Sequence, residues 1–168
     1  MEGKTMLVFR EGDFNDLPQL KALGMMAYEQ FASVLGEVHW NKLKEFLQDE
    51  KSWIDLLNKA KVFVCEDKVI VGMAYLMPSG NPTTIFDKDW AQVRMIGVHP
   101  DYRGKGIAKK LTKECIGHAM QAGEKTLALH TSEFMDAARH IYEGLGFQQV
   151  RELEPRYGKR YWLYHLNL

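Results

Sequence analysis

The sequence has little cysteine, no excess of either charge and no long apolar run, and each shortage excludes something. Cys65 and Cys115 are the only thiols in 168 residues, and both sit inside apolar stretches. A disulfide framework is therefore excluded, and a reducing, cytoplasmic setting is expected. The 22 Lys and Arg are balanced by 22 Asp and Glu, for a formal net charge of +0. Nucleic acid and anionic lipid both select a basic surplus, so neither nucleic acid nor a membrane is expected as a partner. No stretch approaches the ~20 apolar residues of a membrane span, and MEGKTMLVFREGD does not read as a signal peptide. The 6 His and 2 Cys show no metal-ligand spacing, so no metal is expected. Internal repeats and composition breaks are also missing, which makes residues 1–168 read as one domain.

What is present is a clear order of elements. Thr5 to Arg10 reads as a strand, and apolar residues at helical spacing predict a first helix over Leu17 to Phe31. Trp40, Leu43, Phe46 and Leu47 trace a second helical stripe, and Trp53, Leu56 and Leu57 a shorter third. Val62–Cys65, a turn at Glu66–Lys68 and Val69–Met77 read as a β-hairpin, and Ala91 to Val98 as a further strand. Ile107, Leu111, Cys115 and Ala119 share one face of an amphipathic helix that ends near Gly123. Lys125–His130, Met135–Leu145, Phe147–Val150 and Tyr161–Leu166 then read as strand, helix, strand and strand. This order predicts a mixed α/β (α+β) domain.

The chemistry concentrates in Val98-His-Pro-Asp-Tyr-Arg-Gly-Lys-Gly-Ile-Ala108. A strand stops at a proline, two glycines follow, and a helix begins at once. The first N–H groups of such a helix lack partners, and its dipole adds partial positive charge. Gly104 and Gly106 let an anion approach the backbone, and Arg103 and Lys105 add charge beside it. Neither a Walker A loop nor the G-x-G-x-x-G fingerprint fits, since Lys109 occupies the third glycine position. On the glycines alone, an ordinary strand-to-helix turn fits equally well.

Arg103, Gly106 and Ala108 fill a pattern, Gln/Arg-x-x-Gly-x-Gly/Ala, that resembles the acyl-CoA pyrophosphate loop of the GNAT superfamily of N-acetyltransferases. Downstream, Ala138-Arg-His-Ile-Tyr142-Glu-Gly-Leu-Gly146-Phe147 is similar to a second element of that family. The resemblance implies a central, mostly antiparallel sheet flanked by helices, and transfer of an acetyl group from acetyl-CoA to an amine. It implies pyrophosphate binding by Arg103, Gly104, Lys105, Gly106, Ile107 and Ala108, and strand-like pairing of the pantetheine with Ile96, Gly97 and Val98. It also implies Tyr142 as the general acid for the departing thiolate. Gly97 fits a bulge or packing role equally well, and the alternative for Tyr142, a half-buried helix residue beside Phe147, is the weaker reading. Two positions depart from the pattern: Gln92 stands where many members keep Glu, and Met135 where many carry Asn. Glu133, His130 and Glu37 are replacement candidates for the base, as is ordered water.

The acceptor, a small-molecule or peptide amine, is expected among the aromatics Tyr28, Phe31, Trp40 and Trp90, with Glu37 facing its ammonium. Pro78 to Trp90 reads as a lid or a subunit contact, and the aromatic Tyr157–His165 as a strand whose face could support a homodimer. A non-catalytic acyl-CoA sensor and a transferase of longer acyl chains are the alternative readings.

Overall fold

The computed structural model describes residues 6–168, so Thr5 of the expected first strand lies outside the described residues. Strand β1 runs over Val8–Glu11, followed by helices α1 (Leu17–Glu29), α2 (Ala32–Leu35), α3 (Glu37–Gln48) and α4 (Glu50–Lys59). Pro18 is tolerated in the first turn of α1, where its missing N–H has no helical partner to lose. Leu20, Leu23, Gly24 and Ala27 make its buried stripe. The helix stops at Glu29, two residues before the expected Phe31, and Phe31 instead caps α2. Gly36, at φ 80, then turns the chain into α3. Trp53 of α4 donates its indole N–H to the Leu47 carbonyl at 2.9 Å. A Cβ at Gly24 would lie 2.6 Å from the Trp53 ring, so the glycine is what lets α1 and α4 close on each other.

The remaining elements are β2 (Lys61–Asp67), β3 (Val69–Met77), β4 (Ala91–Val98), α5 (Ile107–Gln121), β5 (Thr126–Ser132), α6 (Asp136–Gly144), β6 (Gln148–Arg156) and β7 (Lys159–Asn167). With β1, these strands form a seven-stranded sheet in the order β1-β2-β3-β4-β5-β7-β6. Every neighbouring pair is antiparallel except β4 and β5. The hairpin turn is tighter than expected, with Lys68 alone at its tip at φ 64 and Asp67 opposite Val69.

Helices α1, α3 and α4 cover one face through Leu20, Leu23, Leu43, Leu47, Trp53, Met73 and Tyr75. Helices α5 and α6 cover the other through Leu111, Cys115, Leu127, Leu129, Tyr142 and Phe147. Strand β7 lies between β5 and β6, and Tyr161, Trp162, Leu163 and Tyr164 are buried on both its faces. It therefore has no exposed aromatic face to offer a second copy, and its aromatics are core. The 78–90 segment is anchored too: Ser79 N–H donates to Glu124 at 2.7 Å, and Phe86 is buried against Ala128, Leu153, Tyr161 and Leu163.

Candidate active site

The sheet parts in its middle. Strands β4 and β5 pair only at Ala91–Leu127 and Gln92–Ala128, and then separate. Strand β4 bulges at the same level: Tyr75 faces Arg94 and Met73 faces Gly97, so two residues of β4 oppose one of β3. Met95 takes φ 50 there, a left-handed conformation that a methionine adopts only where its surroundings impose it. The result is a cleft of about 1200 Å³ whose floor includes Arg94, Met95, Ile96, Gly97 and Val98 on one side and Leu129, His130 and Thr131 on the other. Beyond the bulge, the β4 backbone has β3 on one edge and the open cleft on the other, which is an edge a peptide-like chain could extend.

One end of the cleft is the glycine-rich turn. His99 accepts from the Asp101 N–H at 3.1 Å and so caps the short 3-10 turn Pro100–Tyr102. Gly104 and Gly106 both sit at φ 76, and a Cβ at either would meet nothing within 4 Å. Gly106 is the N-cap of α5, without a side chain to satisfy the first N–H groups and without an acid in the first turn. These donors, with Arg103, Ile107, Ala108 and Lys109 on the lining, suit an anion. Lys105 lies outside the lining, its ammonium 5.2 Å from the Tyr102 ring centroid. Gly97 has a second reason to be glycine: a Cβ would sit 3.1 Å from Ala27 and 3.3 Å from Met73, so it is a packing contact for α1.

Tyr142, on α6, lines the cleft. The helix is held by Tyr164, whose hydroxyl donates to Glu143 at 2.8 Å, and by the Phe147 N–H bonded to the Tyr142 carbonyl at 3.0 Å. The Tyr142 ring packs edge-on to Phe147 and is 8 % exposed, at the cleft lining. Burial, with smaller contributions from Tyr28 and Cys115, holds its phenol well above the ordinary value, so the proton stays on the oxygen at neutral pH.

Gln92 is fully buried. Its amide donates to the Asn81 carbonyl at 2.8 Å and accepts from Arg94 at 3.3 Å, so it ties the 78–90 segment to β4 and does not line the cleft. Of the replacement bases, His130 lines the cleft and Glu133 and Glu37 do not. Met135 also lines it, its sulfur accepting from Thr131 at 3.7 Å.

The other end of the cleft is aromatic. Tyr28, Phe31, Phe134 and Tyr161 form a chain of edge-on contacts, with Phe31 and Phe134 centroids 4.9 Å apart. Tyr157 and Gly158, in the β6–β7 turn, close it from above, and His39 of α3 packs directly over Gly158. Of the aromatics and the acid expected at the acceptor site, Tyr28 and Phe31 line the cleft, whereas Glu37, Trp40 and Trp90 do not. Glu37 is exposed at the start of α3, Trp40 packs against the α1–α4 core, and Trp90 packs beside Phe86. The sequence reading missed Arg94, Phe134, Arg156 and Tyr157. Arg94 carried a signal, as the one charge in the apolar strand Ala91–Val98; the others become neighbours only through strand order.

A split sheet, a bulged strand and an uncapped glycine-led helix together define an α/β domain whose cleft between β4 and β5 suits an extended, anion-tailed ligand. The description "Acetyltransferase (GNAT) family" belongs to the family model that matches residues 26–147, and the chain belongs to that family. It is 38 % identical over 68 residues to an N-acetylaspartate synthetase of Danio rerio, covering 40 % of this chain and 24 % of the relative. To a mycothiol acetyltransferase of Propionibacterium freudenreichii it is 24 % identical over 154 residues, 89 % of this chain and 44 % of the relative. The chain thus spans less than half the length of these curated relatives. Its fold matches the crystal structure of the PaiA N-acetyltransferase of Thermoplasma acidophilum in complex with coenzyme A, with a TM-score of 0.76, 17 % identity and coverage of 97 % and 99 % of the two chains.

Proposed function

We propose that the protein is an acetyl-CoA-dependent N-acetyltransferase acting on a primary amine of a small molecule or peptide. The observation that carries the reading is a buried tyrosine on the lining of the cleft that also holds the bulged strand and an uncapped helix start. The helix start and Arg103 would hold the cofactor pyrophosphate, and the free edge of Ile96–Val98 would pair with its pantetheine amides. The bound cofactor would supply an acetyl thioester, whose carbonyl carbon the amine attacks with loss of the thiolate. A backbone N–H at Gly97 or Val98 would stabilise the oxygen on which charge develops, and Tyr142 would give its proton to the departing sulfur. The amine must lose a proton as well. No carboxylate stands at position 92 to take it, and His130 is held neutral, its pKa pulled down to about 3 by burial and by Arg156 and Arg94. Ordered water would then carry that proton. The names of two relatives refer to small molecules, N-acetylaspartate and mycothiol, and that of one structural neighbour to a ribosomal protein, so both kinds of amine acceptor stay within the reading.

Thiol release over an amine panel, with acetyl-CoA and with longer acyl-CoAs, tests the reading. Release with acetyl-CoA and a primary amine is expected. Binding of acetyl-CoA without release on any amine would point to a sensor, and faster release with a longer chain to a different acyl donor.

A further inference from the structure

The charge of the cleft is not that of the whole chain. Five Lys and Arg line it, Lys42, Arg94, Arg103, Lys109 and Arg156, against one carboxylate, Asp136, which is paired with Arg139. Arg103 and Lys109 belong to the glycine-rich end. Arg94 and Arg156 belong to the aromatic end, and among the described residues neither has a carboxylate within salt-bridge distance. Arg94 is half-buried at the bulge and bonds only to the neutral amide of Gln92 at 3.3 Å. Arg156 reaches His130 at 3.5 Å, and the buried Nδ1 of that histidine has no hydrogen-bond partner. Strand alternation puts Arg94 and His130 on the same face of the sheet, the face covered by Tyr28 and Phe31.

An ammonium alone would be repelled from such a pocket. A half-buried guanidinium without a counter-ion is costly to keep, and its planar fork matches a carboxylate. Resting on the acetyl-transfer reading above, we propose that the acceptor is a small amine that carries a carboxylate on the same molecule, held by Arg94 and Arg156 with its apolar part against Tyr28, Phe31 and Phe134. The two arginines are specificity residues. They orient the acceptor so that its amine points toward the parted strands.

The test is calorimetry with the coenzyme-saturated protein, using product analogues in pairs: N-acetyl amino acids, with apolar side chains, against their C-terminal amides. The account expects the acids to bind at least about tenfold tighter, the discrimination of one charge-assisted hydrogen bond. Arg94→Gln should abolish most of that ratio, and Arg156→Gln, at an exposed position, should lower it with no risk to folding. Equal affinity for acid and amide, or a ratio unchanged in both variants, overturns the proposal. An N-acetylaminoalkyl phosphonate that outcompetes the acids would overturn the carboxylate assignment. A parallel thiol-release assay separates the two levels. Acid preference without release leaves the anion site standing and removes acetyl transfer, whereas release with amines that ignore the carboxylate removes only the anion site.

Discussion

Tyr142 was singled out through the family resemblance, on a stretch in which Ala138 and Tyr142 share one face of α6 and Gly146, at φ 100, lies just past the helix end. Its role is tested by Tyr142→Phe, which removes the proton donor and leaves the ring packed on Phe147. Turnover should fall by about 10²-fold or more, with acetyl-CoA affinity within a factor of about two, measured by thiol release and calorimetry. His130 gives a second test, through stability. Its folded pKa of about 3 lies below the ordinary 6.5, so from 6.5 downward the unfolded chain binds a proton that the folded chain refuses. Stability from this group is therefore full above 6.5 and is lost as pH falls toward 3. His130→Asn should flatten the decline of Tm between pH 6.5 and 4, relative to the parent. The acceptor residues were less legible. Glu37, Trp40 and Trp90 have suitable chemistry but point elsewhere, and which way they point depends on how α3 docks and where the 78–90 segment folds back.

Among the elements, those set by local chemistry were read almost to the residue. Strand β4 ends at Val98 before Pro100, and α5 starts after Gly106, because proline and a left-handed glycine punctuate the backbone wherever they occur. The bulge was not read. It arises from the pairing of β4 with β3, and nothing in Ala-Gln-Val-Arg-Met-Ile-Gly-Val announces a methionine at positive φ. The cleft depends on the seating of α5 on β3, and Gly72 controls it: a Cβ there would sit 2.6 Å from Ile107 and 3.2 Å from Leu111. Gly72→Val should destabilise the fold by about 1–3 kcal/mol. It should also weaken acetyl-CoA binding without altering a single loop residue, because Ile107 opens the helix that forms the cradle. Gly106→Ala acts more directly. It places a β-carbon at φ 76, costing roughly 1 kcal/mol, and narrows the approach to the first N–H groups. Denaturant midpoints and calorimetric titration measure both effects.

On the scale of the molecule, the net charge of +0 conceals a separation of charge. The cleft lining carries five basic side chains, Lys42, Arg94, Arg103, Lys109 and Arg156, against one acidic one, Asp136. The element order was sufficient for the mixed α/β class, whereas the sheet's position between two helical layers came from the family resemblance. The parting of β4 and β5, a property of the whole sheet, was beyond it. Ligand bound there touches α1, β4, β5, α5 and α6 together, so coenzyme A should raise the stability of the entire fold. At 100 times its Kd the gain is about 2.7 kcal/mol. Thermal unfolding should show a rising Tm with coenzyme A, less so at high salt, where screening weakens the basic cradle. Cys115, whose thiol burial pushes up to about 12, should stay unalkylated throughout the native range.

In the proposed function, this cleft transfers an acetyl group with Tyr142 as the acid. The most direct measurement is the initial rate of thiol release from acetyl-CoA with carboxylate-bearing primary amines, for the parent chain and for Tyr142→Phe at matched cofactor occupancy. Amine-dependent release by the parent, reduced about 10²-fold or more in the variant, is the predicted result. Equal rates for the two proteins, or no amine-dependent release at full occupancy, would contradict it.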